Sequence, residues 1–146
     1  MKPVFAWTFH GGKRVTKTIA ATAGNAAANL SPGTGKRWIV LRGRITLVTD
    51  ATVDNRYIDA LLDDGTNANL VLPSSPAIIA SQTRSANYQT VVSDEAGQLK
   101  SGEIAIIGMG NATILEGSDR LLFGITNGKA GDSYSGNFVV LEIDMP

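Results

Sequence analysis

Few residues of this chain could carry out covalent or acid–base chemistry. The 146-residue sequence contains no cysteine, and its single histidine, His10, stands next to a pair of glycines. Catalysis by a serine nucleophile would need a base and a motif such as G-x-S-x-G, which the sequence does not contain. We therefore interpret His10 as a solvent-facing turn residue, and we expect neither enzymatic activity nor a cofactor.

The run Gly33-Thr34-Gly35-Lys36 is similar to the end of a phosphate-binding P-loop. That motif also requires a glycine five positions before its second glycine and a serine or threonine after the lysine. Here those positions are occupied by Leu30 and Arg37. A β-prone run follows where the motif needs a helix N-terminus, so we interpret the segment as a simple loop.

Asp63, Asp64, Asn67 and Asn69 bring oxygen ligands together around Gly65, a partial likeness to a calcium-binding loop. The full D-x-[DN]-x-[DN]-G spacing and its distal glutamate are missing. Asp and Asn side chains also favour ordinary turns, in which they accept hydrogen bonds from the local backbone. We therefore predict a turn and no metal site.

Charge is unevenly distributed along a chain whose net charge is zero. Residues 1–49 contain eight lysines and arginines and no acidic residue, whereas residues 50–146 contain five basic and all thirteen acidic residues. The two parts could attract one another within one subunit, or the basic part could reach an acidic surface on a neighbouring chain. Nucleic acid is a third candidate partner, against which the pI of about 6.6 argues.

The elements that would position these residues begin with two β-prone runs, Val4–Phe9 and Lys13–Ile19, joined by a Gly-Gly turn. This pattern predicts a hairpin whose strand alternation places Phe5, Trp7 and Phe9 on one face. Such a face requires cover, either from the chain's own body or from another subunit. Residues 20–35 are small, uncharged and interrupted by proline, which indicates a linker or a connection that follows the surface. The sequence thus divides into an arm, 1–35, and a body, 36–146.

The body begins with a predicted long strand, residues 37–49, with Ile39, Leu41, Gly43, Ile45 and Leu47 on one face. Its other face mixes Trp38 and Val40 with Arg42 and Arg44, as expected of a sheet surface partly covered by an arm or partner. Further strands are predicted at 56–62, 68–72, 87–92, 103–109, 120–126 and 136–143, and an irregular segment or one helical turn at 77–83. Because no segment keeps a helical period, we expect eight to ten strands in an all-β antiparallel sandwich or jelly roll.

No apolar run approaches the ~18 residues that a membrane span requires. The first ten residues also lack the continuous apolar stretch of a secretory signal. We expect a soluble protein that is not exported by a signal peptide and does not enter a membrane.

Residues 41–56, followed by the turn 63–67, resemble small β-sandwich virion proteins of tailed bacteriophages. A second similar stretch, Leu115 to Phe123, reads as a strand, a glycine-containing turn and a strand. The resemblance implies a capsid decoration (cement) protein made in the host cytoplasm and located in the virion. Its implied partners are the major capsid protein and other copies of the chain, in a trimer or another ring. A minor head or tail component, or a sandwich that binds a carbohydrate or host receptor, is the alternative.

The expected mode of binding is an arm that inserts between neighbouring subunits and buries its aromatic side chains. The predicted partner-binding residues combine the aromatic and basic positions of the arm and of the first body strand. They are Phe5, Trp7, Phe9, Lys13, Arg14, Lys17, Trp38, Arg42 and Arg44.

Overall fold

The computed structural model describes residues 12–74, 77–89, 103–108 and 113–146. These residues form ten β-strands and no helix, which confirms the prediction of an all-β protein. The strands are β1 (Lys13–Ala23), β2 (Ala28–Leu30), β3 (Gly33–Val48), β4 (Tyr57–Asp63), β5 (Ala68–Pro73), β6 (Thr83–Gln89), β7 (Glu103–Gly108), β8 (Thr113–Gly117), β9 (Arg120–Thr126) and β10 (Ser133–Asp144). Within the described ranges, no helix is long and apolar enough to cross a membrane.

Two sheets enclose the core, as expected for a β-sandwich. The six-stranded sheet has the order β1-β10-β3-β6-β7, and β8 also pairs with β3. The four-stranded sheet has the order β2-β9-β4-β5. All pairs are antiparallel except β6 with β7. One edge of β3 pairs with β10, while the other edge is shared by β8 in its first half and β6 in its second.

Phe138 on β10 joins the two sheets across the core. Its ring lies 5.7 Å, between centroids, from Tyr88 on β6 and 5.0 Å from Phe123 on β9 of the other sheet. Gly43 on β3 leaves room for this ring, because a Cβ at that position would lie 2.2 Å from it. Five aromatic residues of the body pack in the core. The buried rings are Trp38, Tyr88, Phe123, Tyr134 and Phe138, whereas Tyr57 is half-buried.

The mixed faces of β3 come from a β-bulge. Arg42 pairs with Val139 of β10, whereas Val40 pairs with Val140, so that Leu41 is an extra residue. One extra residue reverses the alternation of the side chains that follow it. The expectation that Leu41 continues a single face along the whole strand is therefore wrong.

On the N-terminal side of the bulge, Trp38 and Val40 face the core, and Ile39 lies on the opposite side. Beyond the bulge, Ile45 and Leu47 face the core, and the arginines alternate with them on the opposite side. Trp38 and Val40 therefore belong to the interior, and their apolar character does not require a covering partner.

The linker expected at residues 20–35 is replaced by strands. β1 continues to Ala23 and pairs with β10, while β2 pairs with β9 in the four-stranded sheet. Both strands are thus integral to the sandwich, although they fall on the arm side of the boundary expected at residue 35. Small residues fit here because Tyr134 closes over the turn and donates a hydrogen bond to the Ala26 carbonyl. The other predicted hairpin strand, Val4–Phe9, lies outside the described residues.

The predicted strand–turn–strand at residues 115–123 is present, but its strands belong to different sheets. β8 pairs with β3, and β9 pairs with β2 and β4. The turn between them, closed by a hydrogen bond from the Asp119 amide to the Glu116 carbonyl, carries the chain from one sheet to the other.

At the C-terminal end of β3, the loops are fixed by Arg56, which is fully buried. Its guanidinium donates to Asp132 at 2.8 Å, to Asp50 at 2.7 Å and to the Thr52 carbonyl at 2.7 Å. Burial pushes the pKa of Asp132 upward. Hydrogen bonds from the Lys129 and Asp50 amides and from Arg56 outweigh that effect and hold this pKa below its ordinary value. The cluster satisfies its own charges and is structural.

Candidate protein-binding face

The outer face is the side of the six-stranded sheet that is turned away from the four-stranded sheet. On β10, Phe138 and Val140 point into the core, so the residues that alternate with them point outward. Strand pairing extends this assignment to β1, β3, β6 and β8. All described strands belong to the two sheets, so none of them forms a third layer over the outer face.

One part of this face, which we name the apolar half, carries aliphatic side chains. Leu141 on β10 pairs with Ile39 on β3, and Ile39 pairs in turn with Ile114 on β8, so a row of apolar residues crosses three strands. Val139 and Ile143 extend the row along β10. Ile39 is 8% exposed and Ile114 is 52% exposed.

The adjoining part, the cationic half, is a shallow groove of about 360 Å³. Two arginines and three amides line it, from three neighbouring strands: Arg42, Arg44, Asn87, Gln89 and Asn137. Both arginines are exposed, and no ion pair joins Arg42 to any residue in the described ranges. None of the described residues that line this groove is acidic.

Three of the nine predicted partner-binding residues meet on the outer face. Arg42 and Arg44 line the groove, and Arg14 pairs with Leu141 at the border of the apolar half. Phe5, Trp7 and Phe9 lie outside the described residues.

The other three predicted residues lie on the inner side of their strands. Trp38 is 3% exposed and packs in the core. Lys13 and Lys17 pair with Glu142 and Phe138 on β10, which places them on the inner side of β1. The structure therefore separates these residues from the arginines of the outer face.

Lys17 and Trp38 take part in an ion-pair cluster around Glu142. The carboxylate accepts hydrogen bonds from Lys17 Nζ at 2.8 Å, Trp38 Nε1 at 2.8 Å and Lys36 Nζ at 3.2 Å. Lys17 Nζ also lies 4.6 Å from the centroid of the Trp38 ring. The hydrogen bonds from Lys17 and then Trp38 lower the pKa of Glu142 to about 2. Part of the basic N-terminal charge is thus neutralised within the subunit.

Lys36 and Arg37 extend this internal pairing. Lys36 Nζ also contacts Asp144 at 2.9 Å, and Arg37 forms an ion pair with Glu116. For these two residues and Lys17, the interpretation that the basic and acidic parts attract within one subunit is confirmed. Arg42 forms no such ion pair with any described residue.

Sequence patterns did not single out the amides of the groove or the exposed Ile114. Asn87 and Gln89 alternate with the buried Ala86 and Tyr88, which is the signal of a strand with a polar outer face. This alternation predicts that both amides face outward. It does not predict that they lie beside Arg42, because that position depends on the pairing of β6 with β3.

The acidic turn at residues 63–67 shows the predicted local bonding. Asp63 accepts hydrogen bonds from the Gly65 amide at 2.6 Å and from Arg120 at 2.8 Å. Asp64 accepts from the Thr66 and Asn67 amides at 2.9 and 2.8 Å. The turn interpretation is confirmed, since both carboxylates accept hydrogen bonds from local backbone amides, and Asp63 also accepts one from Arg120.

Across the described residues, no group of three or more His, Cys, Asp or Glu side chains is arranged to hold a metal ion. The segment that is similar to a P-loop is part of β3, and its Lys36 belongs to the cluster around Glu142. His10 lies outside the described residues. The outer face is therefore the strongest candidate for a functional surface in the part of the chain that the structure describes.

No known protein-family model matches the sequence, and no curated protein matches it.

Proposed function

We propose that this protein is a structural assembly protein whose outer face binds the acidic surface of a neighbouring protein chain. The observation that carries the proposal is the cationic half: Arg42 is exposed, has no ion pair within the described ranges and lies beside Arg44. Arginine is enriched at protein interfaces because its planar guanidinium forms two parallel bonds with a carboxylate. The adjoining amides supply donors and acceptors for a polar rim.

The contents of the groove favour a protein partner over the alternatives. A carbohydrate site would present aromatic side chains for stacking on sugar rings, and Tyr88, the one aromatic residue among the described residues that line this groove, is buried in the core. A platform for single-stranded nucleic acid would likewise interleave aromatic residues with basic ones. A flat strand surface with arginines and amides instead fits the surface of another folded protein.

The finer proposal is a capsid decoration protein of a tailed bacteriophage, which binds major capsid subunits and other copies of itself. It is supported by the resemblance of residues 41–56 and 115–123 to small virion proteins, together with a sandwich that has one outward sheet surface suited to docking. A closed ring such as a trimer would let one interface type satisfy every subunit.

The experiment is to add purified protein back to capsids of the parent phage that lack it, and to measure the bound fraction by sedimentation. Replacement of Arg42 by glutamate should weaken binding by about tenfold or more, because a like charge then faces the acidic partner. Arg84→Glu is the matched control, since Arg84 pairs with Leu47 on the inner side of β6 and has no ion pair in the described ranges.

Equal loss of binding by the two variants would contradict the assignment of the outer face. Absence of the wild-type protein from purified virions would contradict the decoration role. Specific binding of the isolated protein to a glycan array, without binding to capsids, would favour the receptor-binding alternative.

A further inference from the structure

We infer that the apolar half of the outer face is the docking site of the chain's own N-terminal segment, with Phe5, Trp7 and Phe9 as the docking residues. This inference goes beyond the proposed function, because it concerns a different half of the face and holds whatever the partner is. It also chooses the chain's own body, and not another subunit, as the cover for the aromatic side chains.

The first observation is the place where the described chain begins. Gly12 lies directly against Leu141: a Cβ on Gly12 would be 2.8 Å from Leu141 Cδ1 and 2.8 Å from Cγ. The paired positions are Lys13 with Glu142 and Arg14 with Leu141, so a straight continuation of β1 would place residue 12 beside Ile143. The contact with the Leu141 side chain places Gly12 at the border of the apolar half, on the side of β1 that belongs to the outer face.

The second observation is the length and composition of the chain beyond Gly12. An extended chain advances about 3.3 Å per residue, so Phe9 can lie about 10 Å from Gly12. Two strand spacings of about 4.8 Å separate β10 from β8, so this reach spans the row from Leu141 to Ile114. In an extended segment, residues 5, 7 and 9 project to the same side. Their aromatic rings therefore suit an aliphatic surface.

The third observation is the burial of the surface itself. Ile39 is 8% exposed, although it lies on the side of the sheet that carries no second sheet. Gly12 contacts this half at Leu141. A tethered segment also competes well against a second copy, since a short linker gives it an effective concentration of order mM.

A disulfide cross-link tests the inference, because the natural chain has no cysteine to interfere. The full-length variant Phe9→Cys with Ile114→Cys should form an intramolecular disulfide under mild oxidation, seen as a monomer of altered mobility without reducing agent. The control is Phe9→Cys with Val53→Cys: Val53 is 90% exposed but follows the C-terminal end of β3, far from Ile39. This pair should keep its thiols free.

A covalent dimer from the first pair would overturn the assignment to the chain's own segment and favour a second copy. Free thiols in both pairs would overturn the docking site itself. A second full-length variant, with Phe5, Trp7 and Phe9 replaced by serine, should bind several-fold more of a hydrophobic dye than wild type, and unchanged dye binding would also contradict the inference. All of these measurements use the isolated protein, so they stand apart from the capsid-binding result.

Discussion

Individual side chains divide the basic residues of this chain into structural and surface groups. Lys17 and Lys36 both form ion pairs with Glu142, which neutralise their charges within the subunit. Arg42, on the same strand as Lys36, has no such contact in the described part of the chain. The difference follows from strand alternation together with the bulge at Leu41: Lys17 and Lys36 lie on the inner side near Glu142, whereas the bulge places Arg42 on the outer face.

The cluster around Glu142 predicts a pH-dependent contribution to stability. Its pKa is lowered to about 2, from an ordinary value near 4.5. The stabilisation is therefore fully present above pH 4.5 and is lost as the pH falls toward 2. Glu142→Gln should lower the free energy of unfolding by about 1–2 kcal/mol at pH 7, after allowance for solvent screening, and by progressively less below pH 4.5.

Urea denaturation at several pH values measures this effect. Glu116→Gln is the control, because its ion pair with Arg37 is exposed and should contribute at most about 0.5 kcal/mol. A Glu142→Gln effect that does not shrink on acidification would show that the cluster does not stabilise through charge.

Tyr88 carries a buried hydroxyl that has no hydrogen-bond partner among the described residues. Burial, and then the nearby Asp59, raise the pKa of this phenol. Because desolvating an unbonded hydroxyl costs roughly 1–3 kcal/mol, Tyr88→Phe should leave the free energy of unfolding unchanged or raise it by up to about 1 kcal/mol.

The matched variant is Tyr134→Phe. The Tyr134 hydroxyl donates to the carbonyls of Ala26 and Phe123, so its removal should cost about 1 kcal/mol. Thermal or urea unfolding compares the two variants. Greater destabilisation by Tyr88→Phe than by Tyr134→Phe would mean that the Tyr88 hydroxyl has a partner in solution.

At the scale of strands, the long β3 organises the six-stranded sheet, and its contact with β10 depends on one glycine. A Cβ at Gly43 would lie 2.2 Å from the Phe138 ring, and Phe138 packs against both Tyr88 and Phe123. Gly43→Ala should therefore lower the free energy of unfolding by about 1–3 kcal/mol through overpacking.

Gly124→Ala serves as the control for this prediction, because its Cβ would meet no atom within 4 Å. It should change stability by less than about 0.5 kcal/mol. In the double variant Gly43→Ala with Phe138→Leu, the smaller leucine leaves room for the added Cβ. Gly43→Ala should therefore lower the free energy of unfolding less in the Phe138→Leu background than in the wild type. Strict additivity of the two substitutions would contradict the proposed contact.

Strand propensity predicted most of the strands, and the exceptions have physical reasons. Residues 120–126 form β9 as expected, because seven apolar-rich residues lie between turn signals. β2 has three residues, too few for an alternating pattern, and exists because it pairs with β9. The bulge at Leu41 also escaped prediction, since it depends on the register against β10, about a hundred residues away in sequence.

The sequence likewise predicted some residues of the candidate site and missed others. Arg42 and Arg44 stood out as charges within an apolar strand, and their exposure on the outer face agrees with that pattern. Trp38 looked similar in the sequence, but the bulge turns it inward. The groove amides come from β6 and β10, and only the pairing of three strands brings them beside the arginines.

For the molecule as a whole, the account divides one sheet surface between two roles. We propose that the apolar half accommodates the chain's own N-terminal segment and that the cationic half binds a neighbouring chain. If the N-terminal segment covers the apolar half, the protein should remain dispersed before assembly, because that apolar surface is then shielded from other copies. It would then bind through charge and hydrogen bonding, which favour a specific orientation on the partner.

Arginine-specific chemical labelling of the free and capsid-bound protein, read by mass spectrometry, tests the central claim most directly. The account predicts that Arg42 reacts in the free protein and is protected on the capsid, while Arg84 reacts to the same extent in both states. Equal labelling of Arg42 in the two states, or protection of Arg84 instead, would contradict the assignment of the outer face as the binding surface.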